Sequence, residues 1–234
     1  PRELAEPSVY ELQPRSDENR LGSPLLVCTT AHASAPEVRT HHGLPAVSVT
    51  IGPDRVRMNL PGKGKGTVSA STREVEQLLY RRGGARLTTM LTVGVSGAAI
   101  SPAMGRYRIG PTRALLAAAN VRLGVWVPNP RYAKEQPENV TELARPERPY
   151  RRVSYPRPRL SYLLKEMFGV HDLDDPYIYL TDGGHWENTG LVELIRDSDF
   201  SEVVCIDADE KPRQTVTQIA QAINLATLEC DTTI

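Results

Sequence analysis

The sequence is short of several things that would have settled its class at once. It has no excess of either charge, with Lys+Arg and Asp+Glu both numbering 28 in 234 residues. A general nucleic-acid binder needs clustered surplus positive charge to displace counterions from phosphates, so nucleic acid is not an expected partner. Only three cysteines occur, Cys28, Cys205 and Cys230, and they are widely spaced. That excludes a disulfide framework and gives no zinc signature. Cys28 and Cys205 sit in the apolar runs Leu25-Leu26-Val27-Cys28 and Val203-Val204-Cys205-Ile206. There a thiol is expected to pack as a small hydrophobe, in a reducing compartment. No apolar stretch approaches the ~20 residues of a membrane span, and no signal-peptide pattern is visible. The expected location is the cytoplasm or the cytoplasmic face of a membrane. No Gly-Lys-Ser/Thr triplet completes a Walker loop. The chain starts at Pro1 and stops at Ile234 in what reads as an unfinished element, so it is expected to be part of something longer.

What is present suits a buried core: hydrophobic residues make up 40% and charged residues 24%. Residues 1–23 are polar and read as an arm or linker, and 24–234 read as one α/β domain. A strand is expected from Pro24 to Thr30. Ala46–Ile51 and Val56–Leu60 alternate around Gly52-Pro53-Asp54, a hairpin signal. Pro61 to Gly66 breaks regular structure. Ser71 and Glu74 form a capping box for a helix carrying Val75, Leu78 and Leu79, which stops at Gly83-Gly84. Leu87 to Ala99 fits either helix or strand, and Thr112 to Leu123 reads as helix. Between Pro128 and Pro158 lie seven prolines. Such a stretch holds neither helix nor central strand, and it reads equally as a lid or binding loop and as a surface insertion. A helix over Ser161–Phe168 closes at Gly169, and a last helix is expected over Thr215–Leu228.

The most ordered pattern lies between them. Tyr177–Leu180 reads as a strand, Thr181–Asn188 as a polar turn, Gly190–Arg196 as a helix and Val203–Ile206 as a second strand ending at Asp207. Strand, helix and strand in that order predict a βαβ unit and parallel pairing. Asp182 then falls at the carboxyl end of a strand, where chemistry gathers in parallel sheets. Gly183 and Gly184 let the chain turn and leave the carboxylate uncrowded. Asn188 or Thr189 can cap the following helix. A carboxylate so placed can serve as general base toward a hydroxyl, although most Asp-Gly pairs only satisfy turn amides.

The run Asp182-Gly183-Gly184-His185-Trp186-Glu187-Asn188-Thr189-Gly190-Leu191, then Glu193-Leu194, resembles the aspartate motif of bacterial patatin-like phospholipases. Ser96-Gly97-Ala98-Ala99-Ile100-Ser101-Pro102-Ala103-Met104-Gly105 and Asn120-Val121-Arg122-Leu123-Gly124-Val125-Trp126 are similar to two further segments of that family, in the family's order. The resemblance implies a patatin-like three-layer α/β fold with a mainly parallel sheet, incomplete within this chain. It implies hydrolysis of lipid or phospholipid acyl esters at a membrane surface by a Ser–Asp dyad, without metal or cofactor. Asp182 would be the dyad aspartate, with Gly183, Gly184 and His185 beside the substrate.

The family's Gly-x-Ser-x-Gly elbow is missing. The nearest candidate is Gly94-Val95-Ser96-Gly97-Ala98, but an elbow serine must precede a helix whose N-terminus holds the oxyanion. Only five residues separate Ser96 from Pro102, and Ser101 before proline is pushed away from helical angles. Ser96 is therefore expected to be a small residue near the site, with the nucleophile upstream, on the rest of the polypeptide or a partner chain. A rival arrangement makes Ser96 the nucleophile, Gly62–Gly66 the oxyanion loop and Lys63 and Lys65 phosphate contacts. His171, Asp172, Asp174, Asp175, Asp182 and His185 are metal-ligand types at spacings that fit no metal template, so no metal is expected. From a different class comes a catalytically silent patatin-like module that binds lipid or protein.

Overall fold

A computed structural model describes residues 7–12, 25–34, 46–60, 66–81, 87–97, 124–132, 158, 160–197, 202–205 and 212–230. Six strands form one sheet: β1 (Val27–His32), β2 (Ala46–Ile51), β3 (Arg55–Leu60), β4 (Gly66–Ser71), β5 (Val125–Pro128) and β6 (Tyr177–Asp182). Their order across the sheet is β4-β3-β2-β1-β6-β5, and every neighbouring pair is antiparallel. The sheet curls strongly into a half-barrel.

This corrects the expectation of a mainly parallel three-layer α/β sheet. The βαβ reading depended on Val203–Ile206 returning to the sheet beside Tyr177–Leu180. Residues 202–205 instead form no strand, Val204 is 74% exposed and Cys205 is exposed. Both edges of β6 are already occupied, by β1 over Leu180–Asp182 and by β5 over Tyr177–Leu180. Neither edge of β6 is left free along its whole length for a parallel neighbour. An apolar run looks the same whether it is buried or not, and only the pairing decides. The buried thiol expected at Cys205 is corrected with it.

Local chemistry explains the elements that form. Gly52-Pro53-Asp54 turns β2 into β3, with the Gly52 amide donating to the Arg55 carbonyl at 2.9 Å, and Ile51 faces Val56 across the ladder. Helix α1 (Thr72–Arg81) starts directly after Ser71, at the end of β4. Helix α2 (Thr89–Ser96) settles the ambiguous Leu87–Ala99 stretch. The Thr88 hydroxyl accepts from the Leu91 amide at 3.1 Å, which offsets the poor helix propensity of its Thr and Val residues. Helix α3 (Leu160–Phe168) ends at Gly169, whose φ of 66° reverses the chain. Helices α4 (Leu191–Asp197) and α5 (Pro212–Cys230) pack on each other through Trp186, Val192, Ala222, Leu225 and Ala226.

Two strands were hidden from the sequence. β4 (Gly66–Ser71) follows a Gly-Lys run and is built of small residues, and β5 ends in Pro128, which an edge strand tolerates. Part of the polar arm also belongs to the body. Residues Val9–Leu12 form a 3-10 turn, Val9 is fully buried, and its amide donates to the Leu87 carbonyl at 3.1 Å. The expected Thr112–Leu123 helix, residues 133–157 of the proline-rich stretch, the Lys63 and Lys65 loop and Ala98–Gly105 lie outside the described residues.

Pairing register divides the sheet into two faces. Val27, Ala31, Val49, Ile51, Val56 and Met58 point to one side with α1 and α2, and form the main apolar core. Cys28, Thr30, His32, Ser48, Asn59 and Thr181 alternate with them and point to the other.

Candidate functional site

Asp182 is the last residue of β6 and is half-buried. It pairs with Thr29 of β1. Its Oδ1 accepts the Gly184 amide at 2.9 Å, and Gly183–His185 make one 3-10 turn. Gly183 is sterically required: a Cβ there would lie 2.5 Å from the Cys28 carbonyl oxygen. The turn is thus pressed flat against β1, where the Thr30 hydroxyl donates to the Gly183 carbonyl at 3.2 Å. The chain leaves the turn through Gly190, whose φ of 72° favours glycine, into α4. The Thr189 hydroxyl accepts from the Leu191 amide at 3.3 Å.

Asp182 borders a cleft of about 650 Å³. Its lining comes from the turn and α4 (Gly183, Gly184, Glu187, Asn188 and Glu193) and from β1, the residues before it and α2 (Leu25, Leu26, Val27, Cys28, Val93 and Ser96). The structure therefore brings Ser96, Asp182, Gly183 and Gly184 to one cavity, although they come from two distant parts of the chain. Ser96 ends α2, and its hydroxyl donates to the Cys28 carbonyl at 2.6 Å, not to Asp182. It occupies a helix C-terminus, where the dipole is negative, so α2 offers an oxyanion no stabilisation there.

His185 is not among the residues lining the cleft. Its Nδ1 lies 3.1 Å from the Thr181 hydroxyl, which lies 2.9 Å from His32 Nε2. This His–Thr–His bridge ties the turn to β1. Burial holds the His185 imidazole below its usual pKa, with the nearby Asp182 charge pulling the other way. The acidic stretch that follows α3 is engaged in structure: Arg131 pairs with Asp174, Lys165 pairs with Asp175, and Asp172 accepts the Asp174 amide at 2.9 Å.

Two carboxylates escaped notice as site residues, although both lie in the motif. Glu193 is buried, and its Oε1 accepts the Ser48 hydroxyl at 2.6 Å and also pairs with Arg196. Its Oε2 accepts Asn59 Nδ2 at 2.9 Å. One carboxylate thereby fixes α4 to β2 and β3. Glu187 is buried too, and its Oε1 accepts the Thr189 amide at 2.5 Å and the Thr189 hydroxyl at 2.6 Å. Neither had a local signal, because a glutamate in a short helix or turn looks the same whether it is solvated or buried. Burial, then Glu193 and Glu187, push the Cys28 thiol up to about 12. Cys28 is therefore a protonated, weakly nucleophilic thiol at neutral pH.

No family model matches this chain, and neither a curated protein nor a solved structure matches it.

Proposed function

We propose that this chain carries the aspartate of a serine-type lipid acyl ester hydrolase, of phospholipase or lysophospholipase type, with Asp182 as the general base. One observation carries the reading. The half-buried Asp182 carboxylate stands at a strand end, held by a glycine turn, on the border of a 650 Å³ cleft with an apolar wall. That combination suits an acyl chain lying against Leu25, Leu26 and Val93 with its ester near a base. The resemblance of Asp182–Leu191 to the patatin-like aspartate motif supports the same chemistry. It no longer brings the family's parallel sheet with it.

In this reading a serine hydroxyl attacks the ester carbonyl while Asp182 takes its proton and passes it to the departing alcohol. A water that gives its proton to Asp182 then attacks the acyl-serine, and the acid leaves as the serine hydroxyl is restored. The serine comes from elsewhere in the polypeptide or from a partner, because Ser96 sits at the wrong end of its helix and bonds to Cys28. Action at the cytoplasmic face of a membrane is part of the proposal. Among the described residues no helix is long and apolar enough to cross a membrane.

Asp182→Asn keeps the oxygen that accepts the Gly184 amide and removes the base. Ester hydrolysis by the longest natural form should fall roughly a thousandfold, with the melting temperature unchanged. Full activity in that variant sinks the proposal. A fluorophosphonate probe located by mass spectrometry identifies the serine, and labelling at Ser96 would reassign the nucleophile.

The engaged Ser96 hydroxyl favours a second reading, a silent lipid-binding module. It predicts lipid binding without turnover and no labelled serine in any natural form.

A further inference from the structure

We infer that the cleft beside Asp182 selects by charge, taking amphiphiles with an uncharged polyol head and rejecting those that end in a phosphate monoester. This deepens the ester hydrolase reading by moving its preferred substrate from phospholipids to neutral glycerolipids, and rests on it for the identity of the bond that is cut.

The described lining residues include three carboxylates, Asp182, Glu187 and Glu193, and no Lys, Arg or His. Glu193 is balanced by Arg196, which also reaches Glu229 at 3.5 Å and stands outside the lining. Asp182 and Glu187 form no ion pair with any described residue. Asp182 has the Gly184 amide as partner, and Glu187 has Thr189. Glu187 is 5% exposed, and its Oε2 is buried with no hydrogen-bond partner. At neighbouring Cys28, burial first and then the Glu193 and Glu187 charges oppose loss of the thiol proton.

Like charges brought together in a partly desolvated cleft repel strongly, so a dianionic phosphate entering here meets two uncompensated carboxylates. A glycerol head brings hydroxyl donors to the same acceptors at no such cost. The apolar wall of Leu25, Leu26, Val27, Val93 and Leu194 accepts the alkyl chain in either case. The head group therefore decides, and the chain only anchors. A volume of about 650 Å³ is ample for a ten-carbon chain and a small head.

Binding separates this inference from the hydrolase reading, because it needs no turnover. The affinities of decylglycerol ether and decyl phosphate, neither of which carries an acyl ester, are measured by calorimetry on the longest natural form at low salt and at 0.5 M salt. The ether should bind at least about tenfold more tightly at low salt, and the gap should narrow as salt screens the carboxylates. Equal affinities, tighter binding of the phosphate, or binding of neither overturns the inference. Two variants locate the effect. Glu187→Gln removes one charge and should improve phosphate binding several-fold. Val93→Lys places a cation at a 52% exposed position of the apolar wall; the lost chain contact weakens both ligands alike, and the ether-to-phosphate ratio should narrow several-fold. If neither changes the discrimination, the carboxylates of this cleft are not its cause. Selective binding without ester hydrolysis would leave the inference standing and remove the hydrolase reading. Hydrolysis with equal binding would do the reverse.

Discussion

The two faces of the curled sheet are stabilised by different interactions. Toward α1 and α2 it presents Val49, Ile51, Val56 and Met58, all within a continuous apolar cluster. On the other face, over β1–β3 and the end of β6, it presents Ser48, Asn59, His32 and Thr181, which are also buried but held by hydrogen bonds, beside an aromatic cluster of Trp126, Tyr177 and Tyr179 over β5 and β6. Apolar packing is non-directional, tolerates adjustment, and supplies most of the free energy of folding. A buried hydrogen-bond network adds little net stability when complete, but it fixes one arrangement and is costly to break in part. The Gly183–His185 turn and α4 are fixed by direction on this polar face, whereas Asp182, paired with Thr29, has the strand parity of the apolar face. The carboxylate thus stands where the two kinds of support meet.

Mutations on each face should separate the two kinds of stabilisation. Glu193→Ala takes one partner from each of Ser48, Asn59 and Arg196 at once, and should cost about 3–5 kcal/mol in urea unfolding. Met58→Ala on the apolar face should cost about 2–4 kcal/mol, and should leave any binding at the cleft intact in the surviving folded fraction. If the two variants lose binding in proportion to stability, the distinction between the faces fails. Gly183→Ala drives a methyl group into the Cys28 carbonyl and should cost about 1–3 kcal/mol while shifting Asp182. Ester hydrolysis should fall further in this variant than its stability explains. The smallest effect concerns pH. His185 is held below the ordinary imidazole value of 6.5, so the folded state binds its proton less readily than the unfolded chain. Stability is full above pH 6.5 and declines as pH falls from there through the lowered folded value. In His185→Gln the decline between pH 7 and 5 should be shallower. An unchanged slope would show that burial of His185 carries no linked penalty.

Part of this was written locally in the sequence. The β2–β3 hairpin follows from strict alternation around Gly52-Pro53-Asp54, and Asp182 at a strand end followed from Tyr177–Leu180 and the two glycines after it. Other features have no local signature. Nothing near Tyr177 indicates that its strand pairs with β1 on one side and β5 on the other, and the strand–helix–strand order suggested parallel pairing instead. Nothing near Glu193 reveals that its partners Ser48 and Asn59 lie 145 and 134 residues away. A surface helix carries glutamates of the same appearance. The proline-rich stretch and the Lys63 loop gave readings that fall outside the described residues.

The way β6 is clasped has a consequence for its motion. Leu180 alone is paired on both sides, with Ala31 and with Val125. Below it the strand is held by β5, and above it by β1. Opening either neighbour by itself therefore leaves β6 tied to the other. Such a strand opens only through large, rare fluctuations, whereas the turn from Gly183 to Gly190 is tied down mostly by side chains and can open locally. Amide exchange should accordingly be slowest around Leu180 and faster only a few residues later. Asp182 sits at that boundary, on a stationary mount beside a segment that can yield to an arriving ligand.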